Sequence, residues 1–131
     1  MASERRQAQI AKRIQQKISE LLLHEIRDPR IGFVTITGVT ITRDLTVAKV
    51  RWSVLEPKEK SRVEHMFRHA NSFLRREVAR EINIRSAPTL QFEFDQGLAA
   101  AARIEEVLRK VLPPEERGPD VPPADPSRND D

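Results

Sequence analysis

A helical pattern that runs into residues 66–76 from both sides is the feature that most constrains this fold. Apolar residues recur at helical spacing in both flanks: Val63, Met66, Phe67 and Ala70 upstream, and Leu74, Val78 and Ile82 downstream. Between the flanks lies Asn71-Ser72, two residues whose short polar side chains favour caps and turns. We therefore predict two helices that meet at a bend here. One long amphipathic helix that tolerates both polar residues is the alternative.

The predicted bend would have a chemical consequence. Ser72 would cap the second helix, and Arg75 and Arg76 would lie in its first two turns. The first N–H groups of a helix lack intrahelical partners, so they bind phosphate well. Arg76 and Arg80, four residues apart on one side, repel each other slightly unless an anion lies between them. Neutralisation by nearby glutamates is the alternative.

The charge of the chain is distributed unevenly. The 131 residues carry a net +3, but residues 113–131 contain six acids and two bases and so carry −4. Residues 1–112 therefore carry +7, much of it as arginine. Such an excess on a small domain suits a polyanion, and arginine makes good bidentate contacts with phosphate. Nucleic acid is the favoured partner, and a basic soluble domain without that role is the alternative.

The composition excludes several other classes of protein. The chain has no cysteine, so it has no disulfide, no thiol chemistry and no cysteine-based metal site. His65 and His69 have a spacing that can chelate a metal on a helix, but no third ligand follows, so a solvated pair is favoured. No apolar run is long enough to span a membrane, and the first residues lack the apolar segment of a secretion signal. We expect a soluble, cytoplasmic, single-domain protein without cofactor or metal.

Residues 4–26 form the first predicted helix. Its apolar stripe consists of Ile10, Ile14, Ile18, Leu21, Leu22 and Ile26. The opposite side is basic and carries Arg5, Arg6, Lys12, Arg13 and Lys17. This basic side is either an ordinary solvated face or part of an RNA footprint. Asp28-Pro29 ends the helix, because the residue before proline is disfavoured in helical conformation.

The pattern changes to strand after Gly32. Residues 33–37 are rich in β-branched and aromatic side chains, and the apolar phase slips by one at Gly38, as it does at a β-bulge. After a turn at Arg43-Asp44, a second strand alternates, and its apolar side carries Ala48, Val50, Trp52 and Val54. The two strands are predicted to form a hairpin. The tryptophan lies on the apolar side, which favours a core position over a base-stacking platform.

A further helix and a third strand follow. Pro57 opens the helix, although a capping box at Ser61 allows a start one turn later. This helix leads into the predicted bend. A loop at residues 83–88 carries Arg85, and an alternating strand at residues 90–94 comes next.

The chain ends with a helix and a polar tail. Asp95 is predicted to cap the helix, and Pro113-Pro114 stops it. Residues 113–131 are rich in proline and acidic residues, which predicts a disordered tail. We therefore divide the chain into one domain, residues 1–112, and an acidic tail, residues 113–131.

The predicted element order is α-β-β-α-(kink)-α-β-α. Three strands and helices with matching apolar stripes make a two-layer α+β domain, with the helices on one face of a three-stranded sheet. Type II K-homology domains have this order, and in them a Gly-x-x-Gly loop between two helices clamps a nucleic-acid backbone. The four glycines here are Gly32, Gly38, Gly97 and Gly118, so that loop is missing. Chemistry at the bend would depend on Ala70-Asn71-Ser72.

The chain resembles the ribosome-binding factor A family over about residues 6–112. The resemblance is carried by Asp28-Pro29-Arg30-Ile31-Gly32-Phe33-Val34-Thr35-Ile36-Thr37, Arg43-Asp44-Leu45, Ala48-Lys49-Val50, Phe73-Leu74-Arg75-Arg76-Glu77, the segment from Ile84 to Phe92, and Arg103-Ile104. That family is similar in having a kinked helix pair, with an Ala-x-Gly motif in place of Gly-x-x-Gly. Ala70 matches the motif, but Ser72 stands at the glycine position, and serine adopts a positive φ less readily.

The resemblance implies a function. Members of the family bind the small ribosomal subunit and assist late maturation of its rRNA, including 5′-end processing, above all in the cold, and they are not enzymes. An assembly GTPase that promotes release is an implied partner, and we expect a monomer. The implied RNA-contacting face comprises Ala70, Asn71, Ser72, Arg75 and Arg76. On physical grounds we extend it to Arg80, Arg85, and the basic side of the first helix (Arg5, Arg6, Lys12, Arg13 and Lys17).

Three alternatives remain open at this point. A generic single-stranded nucleic-acid-binding protein would share the basic face without a link to ribosomes. A nuclease would use Asp28, Asp44 or Asp95, but turns and caps need these acids, and no histidine or paired carboxylate accompanies them. A protein-binding scaffold is the third, and loss of binding with rising salt would argue against it.

Overall fold

The computed structural model describes residues 2–26, 32–84, 86–96 and 98–111. In chain order, the elements are α1 (Glu4–His24), β1 (Val34–Ile41), β2 (Val47–Val54), a short 3₁₀ turn (Pro57–Glu59), α2 (Lys60–Ile82), β3 (Thr89–Phe94) and α3 (Leu98–Val111). The predicted α+β class and the succession of helices and strands are confirmed. Asp28, Arg85 and the predicted tail of residues 113–131 lie outside the described residues.

A three-stranded sheet in the order β1-β2-β3 forms one layer. β1 and β2 pair antiparallel as the predicted hairpin, and β3 pairs parallel to β2. The register of the hairpin shifts between Ile36 and Gly38, which confirms the predicted bulge. A β-carbon at Gly38 would lie 2.7 Å from Nη2 of Arg51. The missing side chain at the bulge therefore leaves room for the guanidinium of Arg51 to lie across β1.

Hydrogen bonds around Asp44 close the hairpin turn. One carboxylate oxygen accepts from the hydroxyl of Thr42 at 2.7 Å, the hydroxyl of Thr46 at 2.7 Å and the N–H of Thr46 at 3.1 Å. These bonds, that from Thr42 first, lower the pKa of Asp44 because they stabilise its ionised form. Leu45 adopts a left-handed conformation with φ 62°. The predicted turn is thus held by the side chain of Asp44 together with the hydroxyl of Thr42, which accepts from the N–H groups of Thr46 and Val47.

The hydrophobic core lies between the sheet and the two long helices. The inner face of β2 contributes Ala48, Val50, Trp52 and Val54, and all four are buried. The ring of Trp52 lies 5.5 Å from that of Phe67 and 5.1 Å from that of Phe94, and its side chain is 1% exposed. The predicted core position of this tryptophan is confirmed. Burial of each large apolar side chain contributes about 1.5–3 kcal/mol, so this layer holds α1 and α2 on the sheet.

The opposite face of the sheet is partly covered as well. Thr35 and Ser53 pair across the hairpin and point away from Trp52, because side chains alternate along a strand, yet both are buried. α3 contacts β1 and β2, and its Ile104 is buried outside the core cluster between the sheet, α1 and α2. α3 therefore packs near these residues. Asp95, predicted as its cap, accepts a hydrogen bond from the Thr37 hydroxyl at 2.6 Å. Gly97, which precedes α3, lies outside the described residues, so the cap stays a prediction.

The predicted division of the second long helix is wrong. α2 is helical at every residue from Lys60 to Ile82, so the alternative of one long amphipathic helix is correct. The side chain of Asn71 does not compete for the backbone hydrogen bonds of its own helix, because it donates to the carbonyl of Leu90 on β3. Ser72 lies exposed within the helix and caps nothing. The N–H groups after it are inside a helix, so the phosphate site predicted at a second helix start is wrong too.

Candidate nucleic-acid interface

α2 presents three different sides along its length. Successive residues of an α-helix are rotated by about 100°, so neighbours in sequence point in different directions. The core side carries Val63, Phe67, Leu74, Val78 and Ile82, which are buried. The side toward β3 carries Asn71 and Arg75. The side away from the core, here called the outer stripe, carries His65, His69, Ser72 and Arg76, all exposed.

The residues on the β3 side are engaged within the fold. Arg75 donates from Nε to the carbonyl of Pro88 at 3.2 Å and from Nη2 to the carbonyl of Ala87 at 3.1 Å. Asn71 donates from Nδ2 to the carbonyl of Leu90 at 3.4 Å. Of the five residues that the family implied for RNA contact, these two therefore have intramolecular partners.

The other three implied residues differ in exposure. Ala70 is half-buried and packs against the core cluster, which leaves little of it for a ligand. Ser72 and Arg76 are exposed on the outer stripe. The guanidinium of Arg76 lies 5.8 Å from the ring centre of Phe73, a contact that keeps the charge at the surface. Arg76 is thus the implied arginine best placed for a phosphate.

The basic residues of α1 fall into two groups. Arg5, Arg6 and Lys12 are exposed, and none has a carboxylate partner within the described residues. Arg13 and Lys17 are paired, the first with Glu81 at 3.7 Å and the second with Glu20 at 3.8 Å. Arg13 also donates to the backbone carbonyl of Glu81. This arginine joins the two helices as well as carrying charge.

The two basic segments belong to one layer of the molecule. α1 packs against α2, and the contact from Arg13 to Glu81 links the middle of one helix to the end of the other. Arg80 pairs with Glu77 at 3.2 Å while its side chain stays 71% exposed, so its charge is only partly offset. The structure thus brings the predicted basic side of α1 and Arg76 into the same helical layer. Arg85 lies outside the described residues.

The predicted site omitted several residues of the same layer. Arg68 is exposed on α2, and the rings of His65 and His69 lie 4.2 Å apart on the outer stripe. Treating residues 60–82 as one continuous helix would have found them, because a single helical period runs through the whole segment. The assumed bend divided that period, so the site predicted on α2 was confined to residues 70–80.

The remaining chemistry predicted from the acids has little support. Asp44 and Asp95 are both engaged in the hydrogen bonds described above, with Thr42, Thr46 and Thr37. Within the described ranges, no group of three or more histidine, cysteine or acidic side chains is arranged to hold a metal ion.

The helices differ from membrane-spanning segments. In the part of the chain that the structure describes, none combines the length and apolar character that crossing a membrane requires.

These features define a class of protein. The element order, the β1-β2-β3 sheet and the two helices on its inner face are those of a type II K-homology-like α+β domain, here without a Gly-x-x-Gly loop. The sequence model of the family described as ribosome-binding factor A matches residues 6–108. The chain therefore belongs to the ribosome-binding factor A family.

Individual relatives agree with this assignment. The ribosome-binding factor A of Desulfatibacillum aliphaticivorans is 41% identical over 114 residues, which cover 86% of this chain and 93% of that protein. The ribosome-binding factor A of Thermodesulfovibrio yellowstonii is 35% identical over 98 residues, which cover 75% and 83% of the two chains. Both relatives are matched over most of their length, so the similarity extends across the domain.

Solved structures show the same fold. The solution structure of a Thermotoga maritima protein described as a putative ribosome binding factor A superposes with a TM-score of 0.62 at 31% identity, over 75% of this chain and 94% of that one. The crystal structure of ribosome-binding factor A from Thermus thermophilus gives a TM-score of 0.57 at 22% identity, over 66% and 93%. The second similarity supports the fold alone.

Proposed function

We propose that this protein binds the small ribosomal subunit and its rRNA during late maturation, including 5′-end processing, and that it does so without catalysis. The observation that carries the proposal is the set of exposed cations on the helical layer, namely Arg5, Arg6 and Lys12 of α1 and Arg76 of α2. Residues 1–112 would form the binding domain, and the acidic residues 113–131 a solubilising tail. Family membership directs these charges toward ribosomal RNA rather than another polyanion.

Side-chain cations, not backbone N–H groups, would make the contacts. α2 is continuous, so it offers no free helix start in its middle, and the guanidinium of Arg76 replaces the predicted backbone site. From His65 to Arg76 the outer stripe extends about 16 Å along the helix, since each residue rises about 1.5 Å. Each phosphate neutralised by a lysine or arginine releases counterions, so affinity should fall steeply with salt.

A binding protein of this kind acts by changing the relative populations of the rRNA conformations. If it binds one rRNA conformation more tightly than the others, it increases the share of that conformation without chemical change. Release requires the differential affinity to disappear, either through further folding of the rRNA or through a partner such as an assembly GTPase. A monomer in the cytoplasm, needed above all in the cold, fits this role.

The test compares two triple variants of equal charge change. Arg6→Gln, Lys12→Gln and Arg76→Gln together remove exposed cations from the helical layer, whereas Arg43→Gln, Lys49→Gln and Arg109→Gln remove three exposed cations from the turn, the sheet and α3. Affinity for immature small subunits is measured by sedimentation at several salt concentrations. The first variant should bind at least about tenfold more weakly, which is about 1.4 kcal/mol.

The salt dependence gives a second measure in the same experiment. The first variant should lower the slope of log affinity against log salt by about 2, because up to three phosphate contacts are lost. The second variant should leave both measures nearly unchanged. Equal losses in the two variants would contradict a defined face. Equal affinity for unstructured single-stranded RNA would instead favour the generic nucleic-acid-binding protein.

A further inference from the structure

Arg75 and Arg76 are adjacent in sequence but are used differently in the fold. The guanidinium of Arg75 makes two hydrogen bonds to the chain that enters β3, at 3.2 and 3.1 Å. Arg76 points about 100° away around the helix and has no hydrogen bond or ion pair within the described residues. Sequence alone gives the two side chains the same chemistry, so their difference comes from the fold.

The contacts of Arg75 belong to a larger arrangement along β3. The N–H of Thr89 donates to the carbonyl of Thr46 at 2.8 Å, so the backbone groups of Thr89 face β2. In a parallel ladder the groups of the next residue, Leu90, then point to the free edge of the sheet. That free carbonyl accepts from Asn71, one helical turn before Arg75. Asn71 therefore bonds the outer edge of β3, where no fourth strand exists within the described part of the chain, and Arg75 bonds the residues that lead into this strand.

We infer that Asn71 and Arg75 are positioning residues, here called the edge strap, and that Arg76 is the phosphate contact beside them. The strap joins the middle of α2 to the edge of the sheet. It thereby sets the orientation of the outer stripe relative to the basic side of α1. This inference rests on the proposed function, because it assigns separate roles to residues of that same site.

Arginine suits the strap for a geometric reason. Its planar guanidinium presents several N–H donors in fixed directions, so one side chain can bond the carbonyls of Ala87 and Pro88 at the same time. Lysine carries a single ammonium on a flexible stem and does not reproduce that geometry. Arg75→Lys keeps the charge and removes the fork, and is therefore the variant that separates charge from position.

The experiment compares Arg75→Gln, Arg75→Lys and Arg76→Gln with the unaltered full-length protein. Affinity for immature small subunits is measured at several salt concentrations and at a temperature where each variant is folded. Arg76→Gln should lower the salt slope by about 0.7–0.9, as expected for one lost phosphate contact, and leave the melting temperature unchanged. Arg75→Gln should weaken binding several-fold with the salt slope unchanged. It should also lower the melting temperature by about 5 °C or more. Arg75→Lys should behave like Arg75→Gln.

Hydrogen exchange provides a readout that does not depend on the ribosome. The N–H of Thr89 should exchange faster in both Arg75 variants and at the normal rate in Arg76→Gln, because Arg75 bonds the residues just before Thr89 and so supports its pairing with β2, whereas Arg76 does not. A lowered salt slope in Arg75→Gln, or normal affinity in Arg75→Lys, would overturn the inference, since the charge alone would then matter. Unchanged affinity in a folded Arg75→Gln would overturn it as well. If the unaltered protein itself does not bind small subunits, the proposed function fails, and faster exchange at Thr89 still reports on the strap.

Discussion

Two interruptions are visible in the sequence pattern, one at Gly38 in β1 and one at Asn71-Ser72 in α2, and only the first disrupts the regular structure. In β1 the side chains alternate with a period of two, so a slip of one residue would turn Val39 and Ile41 to the wrong face unless a bulge absorbed it. In α2 the apolar period passes through the polar pair without any change of phase. A polar side chain is tolerated in a helix if it has a hydrogen-bond partner or is exposed to solvent. Asn71 has the carbonyl of Leu90, and Ser72 is exposed to solvent.

The comparison shows which kind of irregularity in a sequence pattern predicts an irregular backbone. A change of phase cannot be repaired by a side chain, because the backbone must shift to keep the apolar residues inside. A change of polarity can be repaired by one hydrogen bond to a distant element. Substitutions at Ser72, Asn71 and Gly38 test this difference, and the one at Ser72 should have the largest effect.

A proline at Ser72 should distinguish one helix from two. Inside a helix, proline removes a backbone hydrogen bond and clashes with the preceding turn, so Ser72→Pro should lower the free energy of unfolding by about 3 kcal/mol or more. Urea denaturation measures the change. Ser72→Ala, the control, should be neutral or slightly stabilising, because alanine is the better helix former. Tolerance of the proline would mean that a second helix does begin here, since its first turn accommodates that residue.

Removal of the hydrogen bond from Asn71 to β3 should have a smaller effect on stability. Asn71→Ala deletes the hydrogen bond to Leu90 and leaves that carbonyl at the sheet edge, which should cost about 1 kcal/mol. The gain in helix propensity offsets about half of this loss. Thermal unfolding of Asn71→Ala beside Ser72→Ala compares the two adjacent substitutions directly. A more stable Asn71→Ala would show that the contact with β3 contributes nothing.

The bulge can be probed from the side chain that lies over it. Gly38→Ala places a methyl group 2.7 Å from the end of Arg51, and this flexible group can move, so we expect a loss of about 1 kcal/mol or less. In an Arg51→Ala background the same substitution should cost less, because nothing then lies over Gly38. A double-mutant cycle measures the coupling. Equal costs in both backgrounds would show that the glycine serves the backbone of the bulge rather than the arginine.

The hairpin turn should contribute a small pH-dependent stabilisation. The pKa of Asp44 is lowered from 3.8, so its stabilisation is present above that pH and is lost as the pH falls through the lowered value. Thr42→Val removes the largest cause and should move the pKa back toward 3.8, as followed by an NMR titration of the carboxylate. Thr40→Val, an exposed substitution on the neighbouring strand, serves as the control. An unchanged titration of Asp44 in Thr42→Val would contradict the proposed cause.

Much of the fold was predictable because the apolar residues of its helices and strands recur at short, regular spacings. The alternation at Ala48, Val50, Trp52 and Val54 identified the buried face of β2, and the stripe of α1 from Ile10 to Leu21 was equally clear. The candidate site was less predictable. The charge distribution of the sequence predicted its cations, but the bend assumed around Ser72 placed Arg75 and Arg76 at a helix start that does not exist.

Local pattern alone decided which segments of this chain are helices and strands, where the bulge lies, and which helical faces are basic, because each depends on residues a few positions apart. Only the tertiary structure decided that β3 lies parallel to β2 and that Arg75 is bonded where Arg76 is free of ion pairs within the described residues. Those outcomes depend on contacts between distant residues, such as Arg75 with Ala87 and Asn71 with Leu90. No periodicity within one segment carries that information, since packing brings the partners together.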